Sequence, residues 1–397
     1  MTTTGELTGN APWHIITGEY PPAPGGVSDY CRVIAEGLAE AGDTVQVWCP
    51  PAEGPPTAFS GVGVNAIAGS WSRADRDRVD VALNQIPGEK RLLLQWVPHA
   101  YGSRSVNVAF CRWIRGRARA GDVLDVMVHE PGLGFGEGGL RHNAAAAVHR
   151  LMLTLLLQHA RKVWVAIPAW TECVRPWVIG RSELPFCWLP VPSTIQVVEC
   201  DAAVSALRAA MLVRPGGLIL GHFGTYPPDV RQALRAMVPG LLKEVPEMQL
   251  ALLGRGSERV AHELSSAPGV DSSRIHAVGQ LGATALSSHL QACDLLVQPY
   301  SDGASSRRTT LMAAMAHGLP IVTTLGRLSE PFWRDSQAIV GVRAGDIQEM
   351  ESAVLALARQ PERRGQIGSA ARATYEARFS LAHVIRALRS DACQVNR

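Results

Sequence analysis

The chain has 397 residues, which at about 150 residues per domain corresponds to two or three domains. Hydrophobic residues make up 47% and charged residues 18%, enough apolar material to exclude a disordered chain. The formal charge of +3, from 38 basic and 35 acidic residues, is spread along the sequence, so no concentrated basic field points to nucleic acid.

Eight cysteines (Cys31, Cys49, Cys111, Cys173, Cys187, Cys200, Cys293 and Cys393) are scattered without a CxxC pair. A chain of this length does not need disulfide staples, so reduced, packed thiols in a cytoplasmic protein are expected. The start, MTTTGELTGNAPWH, has neither the basic opening nor the apolar stretch of a signal peptide. The run Leu151 to Leu157 falls well short of the ~20 apolar residues that span a bilayer, and a soluble protein is expected.

In chain order, Trp13 to Thr17 reads as a buried strand and Tyr20 to Gly26 as a Pro/Gly loop. A helix over Val27 to Ala41 follows, with Tyr30, Val33, Ile34, Gly37 and Leu38 on one stripe. Gly42 stops it, and Thr44 to Cys49 is the next strand, which completes one βαβ unit. Further strands are predicted at Arg91 to Trp96, Val123 to Val128 and Lys162 to Ala166, with a helix over Asn143 to Arg161. Leu189 to Val198 reads as an extended exit strand. Composition places a domain boundary between Glu199 and Pro215.

The pattern then restarts. Strands are predicted at Gly217 to Phe223, Gln249 to Leu253, Ile275 to Val278, Asp294 to Gln298 and Ile321 to Thr324. Helices alternate with them at Asp229 to Lys243, Glu258 to Ser265, Ala283 to Ala292 and Thr309 to His317. This is parallel α/β architecture in two consecutive units.

In open α/β sheets ligands bind where strand carboxyl ends meet helix N-termini, so five loops are candidates. In EYPPAPGGVSDY (residues 19–30), Gly25 and Gly26 allow close backbone approach and the following helix offers unpaired N–H groups. An ordinary tight turn explains these glycines equally well, and GxGxxG is absent. In VMVHEPGLGF, His129 ends an apolar strand; a satisfied structural histidine and a hydrogen-bond donor to a substrate oxygen both stay open.

QPYSDGASSRRTTLMAAMAHGLPIVTT (residues 298–324) brings Asp302, Ser305, Arg307 and Arg308 to the start of a helix at Thr309 and Thr310. Fork-shaped donors and the positive end of a helix dipole make a diphosphate site. The alternative, a solvated charge pair, is disfavoured by the apolar strand before it and the small-residue helix after it. GHFGTYPPDV supplies Gly224 and Thr225, and LLGRGSER supplies Arg255, each on a glycine loop after a strand; for Arg255 a surface turn is an equal alternative.

Taken in order, these loops resemble the retaining glycosyltransferases of family 4, over nearly the whole chain. The resemblance implies the GT-B fold: two facing Rossmann-like domains, here 1–205 on the acceptor side and 206–375 for the nucleotide sugar. A C-terminal helix (376–397, with Ala370 to Leu388 helical) then crosses back to the N-terminal domain. It also implies that Gly25 and Gly26 line the cleft, that His129 is the active-site histidine, and that backbone near Val278 to Gln280 reads the base. The sequence departs from the family pattern at its pair of glutamates, whose positions fall on Ser305 and Ala313. The family's diphosphate-binding Arg and Lys are replaced by Thr225-Tyr226-Pro227-Pro228. On this reading Asp302 stands in for the first acid, and Arg307 and Arg308 replace the lost cations.

The expected activity is transfer of a sugar, a hexose by resemblance, from a nucleotide-diphosphate donor to an acceptor hydroxyl. Retention, no metal and no cofactor beyond the donor are expected, with the two domains closing to exclude water. The acceptor is open: a glycan, a lipid-linked sugar or a small molecule. The alternative is a non-catalytic GT-B subunit that binds a nucleotide sugar or a partner enzyme; a third reading, a GT-B epimerase, requires acidic and histidine residues around the cleft that the sequence does not identify. Val106, Phe110, Trp113 and Ile114 form an apolar stripe beside Arg112, Arg115, Arg117 and Arg119. The stripe either packs on the sheet or lies against the inner face of a membrane.

Overall fold

The computed structural model describes residues 11–390 apart from 56–58, 103–104, 182, 213 and 215. The signal-peptide reading of residues 1–10, the thiol of Cys393 and the last residues of the expected C-terminal helix lie outside the described residues. The chain divides into two compact units: residues up to Pro190 together with those from Val384 onward, and Val191–His383.

The first unit is built from β1 (Trp13–Ile16), α1 (Gly26–Glu40), β2 (Val45–Trp48), β3 (Val62–Asn65), α2 (Arg73–Gln85), β4 (Arg91–Trp96), α3 (Val108–Arg119), β5 (Val123–Val128), α4 (Leu140–Leu157), β6 (Ala160–Val165), α5 (Ala169–Val174) and β7 (Phe186–Trp188). All neighbouring strand pairs run parallel, in the order β3-β2-β1-β4-β5-β6-β7. The inner strands β1 and β4 are buried at every position, as expected for a parallel sheet covered on both faces, where sequence reads as a continuous apolar run. The topological reversal lies between β1 and β4. There the backbone closes so tightly that a Cβ on Gly18 would lie 2.4 Å from the Ala100 side chain.

The second unit comprises α6 (Asp201–Met211), β8 (Leu218–Phe223), α7 (Pro228–Glu244), β9 (Met248–Leu253), α8 (Ser257–Ser265), β10 (Ile275–Gly279), α9 (Ala283–Ala292), β11 (Leu295–Gln298), α10 (Thr309–Ala316), β12 (Ile321–Leu325), β13 (Val340–Arg343), α11 (Ile347–Ala358) and α12 (Pro361–Arg378). Its parallel sheet has the order β10-β9-β8-β11-β12-β13, with the reversal between β8 and β11. Leu220, Leu250, Leu252, Leu295 and Val297 pack with Leu234 and Leu241 of α7 and Val354 of α11 in one buried core. Each such leucine contributes roughly 1.5–3 kcal/mol by leaving water.

Two expectations need correction. Leu189 to Val198 forms no strand; it is tied down by single bonds instead. Val191 N–H donates to Ser306 O at 3.0 Å, Ser193 N–H to Tyr375 Oη at 3.2 Å and Val198 N–H to Ser287 Oγ at 3.1 Å. Ala370 to Leu388 is two helices, α12 and α13 (Leu381–Arg389). The break follows from Phe379, whose ring packs on Phe332 and Trp333 at 5.8 and 5.6 Å, and from Ser380, whose Oγ accepts the His383 N–H as an N-cap does. The end of α13 belongs to the first unit: Arg91 donates to Leu388 O at 2.9 Å and Arg389 pairs with Asp43 at 3.1 Å.

Of the arginine-flanked stripe, Phe110, Trp113 and Ile114 on α3 pack inward, whereas Val106 before the helix is exposed. Phe110, Cys111 and Ile114 are buried, and Trp113 lies 5.8 Å from Trp71 and 5.6 Å from Phe110. Arg117 pairs with Asp80 and Asp122. Cys31, Cys49, Cys111, Cys200 and Cys293 are free thiols, whereas Cys187 is disulfide-bonded, unlike the reduced set expected. Among the described residues no helix is long and apolar enough to cross a membrane.

Candidate active site

The candidate residues of the second unit gather at the carboxyl edge of its sheet, around the β8/β11 reversal. Gly224 ends β8 in a loop whose N–H donates to Leu253 O at 3.0 Å. Gly254, with φ +111°, begins the loop after β9; a Cβ there would lie 2.2 Å from Gly224 O. Gly254 N–H in turn donates to Gly279 O at 2.9 Å, and Ser257 Oγ accepts from Gly279 N–H at 2.8 Å. Three successive strand ends are thus stitched together, with the Ser257 hydroxyl on Gly279 and the Tyr226 hydroxyl donating to Leu253 O at 3.2 Å. Thr225 and Arg255 are exposed on these loops, and Val278 is half-buried beside Gly279.

The loop after β11 approaches the same place. A Cβ on Gly224 would meet Thr310 Cγ2 of α10 at 3.5 Å. The Thr310 hydroxyl hydrogen-bonds Tyr300 Oη at 2.7 Å, and the Arg308 guanidinium stacks over the Tyr300 ring at 4.7 Å. Asp302 receives Arg307 on Oδ2 and Arg308 on Oδ1, so its carboxylate holds both guanidiniums. Helix α10 has Arg308 as N-cap with no side-chain cap bond. The amides of Thr309 and Thr310 are therefore not capped from within the helix, and the helix dipole adds positive potential there.

Ser305 stands where the family pattern has its first glutamate. It is fully buried, and its Oγ has no hydrogen-bond partner. Ala313, at the second position, is buried inside α10, and a carboxylate there would need a partner that the apolar surroundings do not supply.

The segment Asp302–Ser306 is fastened to the loop after β12, a feature that sequence reasoning missed. Leu328 N–H donates to Asp302 O at 2.9 Å and Ala304 N–H to Thr324 O at 2.8 Å. Gly303, at φ +93°, leaves so little room that a Cβ would lie 2.3 Å from Gly326 N. Glu330 accepts from Ser306 N–H at 2.9 Å and from Ser306 Oγ at 2.6 Å through Oε1, and from Trp333 Nε1 at 2.5 Å through Oε2. Burial raises the Glu330 pKa above its ordinary value, and the bonds from Ser306 and Trp333 oppose that shift. The available signal was position: Glu330 follows a strand and a glycine, as the other site loops do.

In the first unit, Gly25 precedes α1 with an extended φ of 172°, a conformation open to any residue, so a left-handed turn is not its purpose. The glycine is needed because Glu19 lies against it; a Cβ would stand 2.3 Å from Glu19 Oε1. The same oxygen accepts Ser28 N–H at 2.9 Å, so one amide of the α1 amino end is held by the protein's own carboxylate. Gly26 faces open space.

His129, at the end of β5, is buried, and its Nε2 lies 2.8 Å from Gln95 Oε1. With the Gln95 amide oriented this way its oxygen accepts from Nε2–H, which leaves Nδ1 as an acceptor. Gln95 is the partner that a structural histidine would have. Burial lowers its pKa to about 3, which keeps the ring neutral. Tyr30 of α1 packs edge-on at 4.7 Å, which brings the first loop's helix to His129.

Comparisons with known proteins bear on the fold and on the second unit. Residues 215–360 match the family described as "Glycosyl transferases group 1". A phosphatidyl-myo-inositol mannosyltransferase of Mycobacterium leprae is 28% identical over 203 residues, which cover 47% of this chain and 52% of the relative; the matched region spans about half the length of that curated protein. Among solved structures, a sucrose-phosphate synthase from Thermosynechococcus elongatus superposes with a TM-score of 0.70 at 16% identity, covering 96% of this chain and 97% of its own. Anabaena HepE in complex with UDP and glucose gives 0.67 at 16% identity, covering 96% and 98%. The chain therefore has the α/β GT-B fold, and its residues 215–360 resemble glycosyl transferases group 1.

Proposed function

We propose that the protein transfers a hexosyl group from a nucleotide-diphosphate sugar to an acceptor hydroxyl, with retention and without a metal. The observation that carries this reading is the arrangement at the β8/β11 reversal: two guanidiniums and the uncapped amino end of α10 lie beside the glycine loop at Gly224. Open α/β sheets bind nucleotides at such a reversal. The similarity to a mannosyltransferase and to a structure holding UDP and glucose supports a hexosyl donor.

In this reading the diphosphate rests on the amides of Thr309 and Thr310 and on Arg307 and Arg308, with Gly224, Thr225, Arg255 and Val278 contributing to the donor site. As the bond between the sugar C1 and the phosphate oxygen breaks, negative charge grows on the leaving diphosphate, and preorganised donors stabilise it. The acceptor oxygen bonds to C1 on the face the phosphate leaves, and its proton passes to the departing phosphate oxygen. Asp302 aligns the two arginines. In the first unit, neutral His129 offers Nδ1 as an acceptor for a substrate hydroxyl.

Peripheral membrane contact, the companion of a lipid-linked acceptor, would fall to the exposed Phe135, Leu140 and Leu151 rather than to the packed stripe of α3. Sedimentation with anionic phospholipid vesicles tests it, and serine at the three positions should abolish any binding. The transferase reading is tested by incubation with nucleotide sugars, with and without acceptors, while nucleoside diphosphate is assayed. Release that depends on Arg307 and Arg308 is expected. Tight binding without turnover on any donor would point instead to the non-catalytic subunit, which the replacement of both family glutamates by Ser305 and Ala313 keeps as the second reading.

A further inference from the structure

We propose that Glu330 is the positioning residue of the donor site, acting through Ser306 on the turn that carries Arg307, Arg308 and the amino end of α10. The inference rests on the donor reading above and adds to it a residue outside the segment that resembles the family motif.

Ser306 is held at each of its polar groups. Its N–H and Oγ both bond Glu330 Oε1, at 2.9 and 2.6 Å, and its carbonyl accepts Val191 N–H at 3.0 Å. The other carboxylate oxygen is fixed by the Trp333 indole at 2.5 Å. Trp333 is itself buried and stacked on Phe379 at 5.6 Å. Glu330 is only 4% exposed, so this is an anchored carboxylate rather than a surface contact. Burying an acid is costly unless its acceptors are satisfied, and here three donors converge on it.

Glu330 supplies this segment with a buried side-chain anchor at Ser306. Ser305 Oγ is buried without a partner, and α10 starts without a side-chain cap. Arg307 and Arg308 follow Ser306 directly, and both reach Asp302 in the same loop. Without the carboxylate, the loop after β11 keeps its ties at Asp302 and Ala304 and the Val191 bond to Ser306 O, but the N–H and hydroxyl of Ser306, next to the arginines, lose that acceptor. Misplacement by about 1 Å is enough to cost on the order of a hundredfold at a preorganised site.

The test measures dissociation constants for UDP, GDP and ADP by calorimetry, together with melting temperatures, in the full chain. Arg307→Ala/Arg308→Ala calibrates the site itself. Glu330→Ala should weaken diphosphate binding on the order of ten- to a hundredfold and raise the donor KM more than it lowers kcat. Glu330→Gln keeps an acceptor for Ser306 but sets an amide N–H against the Trp333 N–H, so it should also weaken binding. Glu330→Gln/Trp333→Phe removes that conflict and should bring affinity back to within about threefold of wild type. Wild-type affinity in a folded Glu330→Ala or Glu330→Gln variant overturns the assignment, as does a loss that the double variant does not repair. Should the wild type bind none of the diphosphates, or the arginine double variant bind as the wild type does, the donor reading fails and this assignment falls with it.

Discussion

Gly254 approaches Gly224 so closely that a Cβ on Gly254 would stand 2.2 Å from the Gly224 carbonyl oxygen. The contact locks the loop after β9 against the loop after β8 and keeps the floor of the proposed diphosphate site made of backbone. Gly254→Ala adds both this clash and the strain of a side chain at φ +111°, at a cost of about 1–3 kcal/mol. A lowered denaturation midpoint and a raised donor KM are expected; unchanged values for both would show that the loops separate freely.

In the proposed donor complex, Asp302 competes with the diphosphate for the guanidiniums of Arg307 and Arg308. Asp302→Ala should therefore leave nucleoside diphosphate affinity equal to or tighter than wild type while lowering kcat, since the arginines lose their alignment. Arg307→Ala and Arg308→Ala should each weaken donor binding by about 1.5–3 kcal/mol, the range for a lost charge-assisted bond. Calorimetry and steady-state kinetics separate the two effects.

His129 and His222 have pKa values lowered by burial to about 3, and His14 has one lowered to about 4. The unfolded chain takes up these protons near 6.5, whereas the folded chain does so only at much lower pH. Stability is therefore full above pH 6.5 and falls as pH decreases toward the folded values, by about 1.4 kcal/mol per pH unit for each histidine. Denaturant midpoints measured from pH 7 to pH 5 should fall, and His129→Gln should reduce the slope. A flat profile would contradict the buried, neutral assignment.

Asp125 is fully buried in β5 and pairs with Arg91 at 3.2 Å and Arg161 at 2.7 Å. Arg91 also reaches Leu388 O at 2.9 Å and lies over the Trp13 ring at 3.7 Å. Asp125→Ala removes the shared anion between two shielded cations and should destabilise the first unit by about 3–5 kcal/mol. Thermal denaturation checks this, and a loss under about 1 kcal/mol would place the pair in the class of weak surface bridges.

The sheet scaffold was legible because its parallel strands are apolar runs. Arg91–Trp96 and Val123–Val128 matched their predicted bounds, and the series from Leu218 to Leu325 followed the expected alternation. β3, with VGVN half-buried throughout, and the three-residue β7 carried too little apolar signal to stand out. The exit segment after Leu189 is held by contacts to Ser306, Tyr375 and Ser287, which no local pattern encodes. The same holds at the site: the chemistry of Arg307 and Arg308 is readable from neighbouring letters, but Glu330 lies 24 residues from Ser306 and acts only once β12 folds beside β11. Glu19 was in view within its loop, yet its position against Gly25 depends on the turn of the chain between them.

The central claim is that a diphosphate binds at the amino end of α10. A crystal structure of the protein with UDP or GDP tests it most directly. Phosphate oxygens are expected within hydrogen-bond distance of the Thr309 and Thr310 amides, with Arg307 and Arg308 turned from Asp302 toward them or shared between the two. A nucleotide bound elsewhere, with both arginines still closed on Asp302, would contradict it.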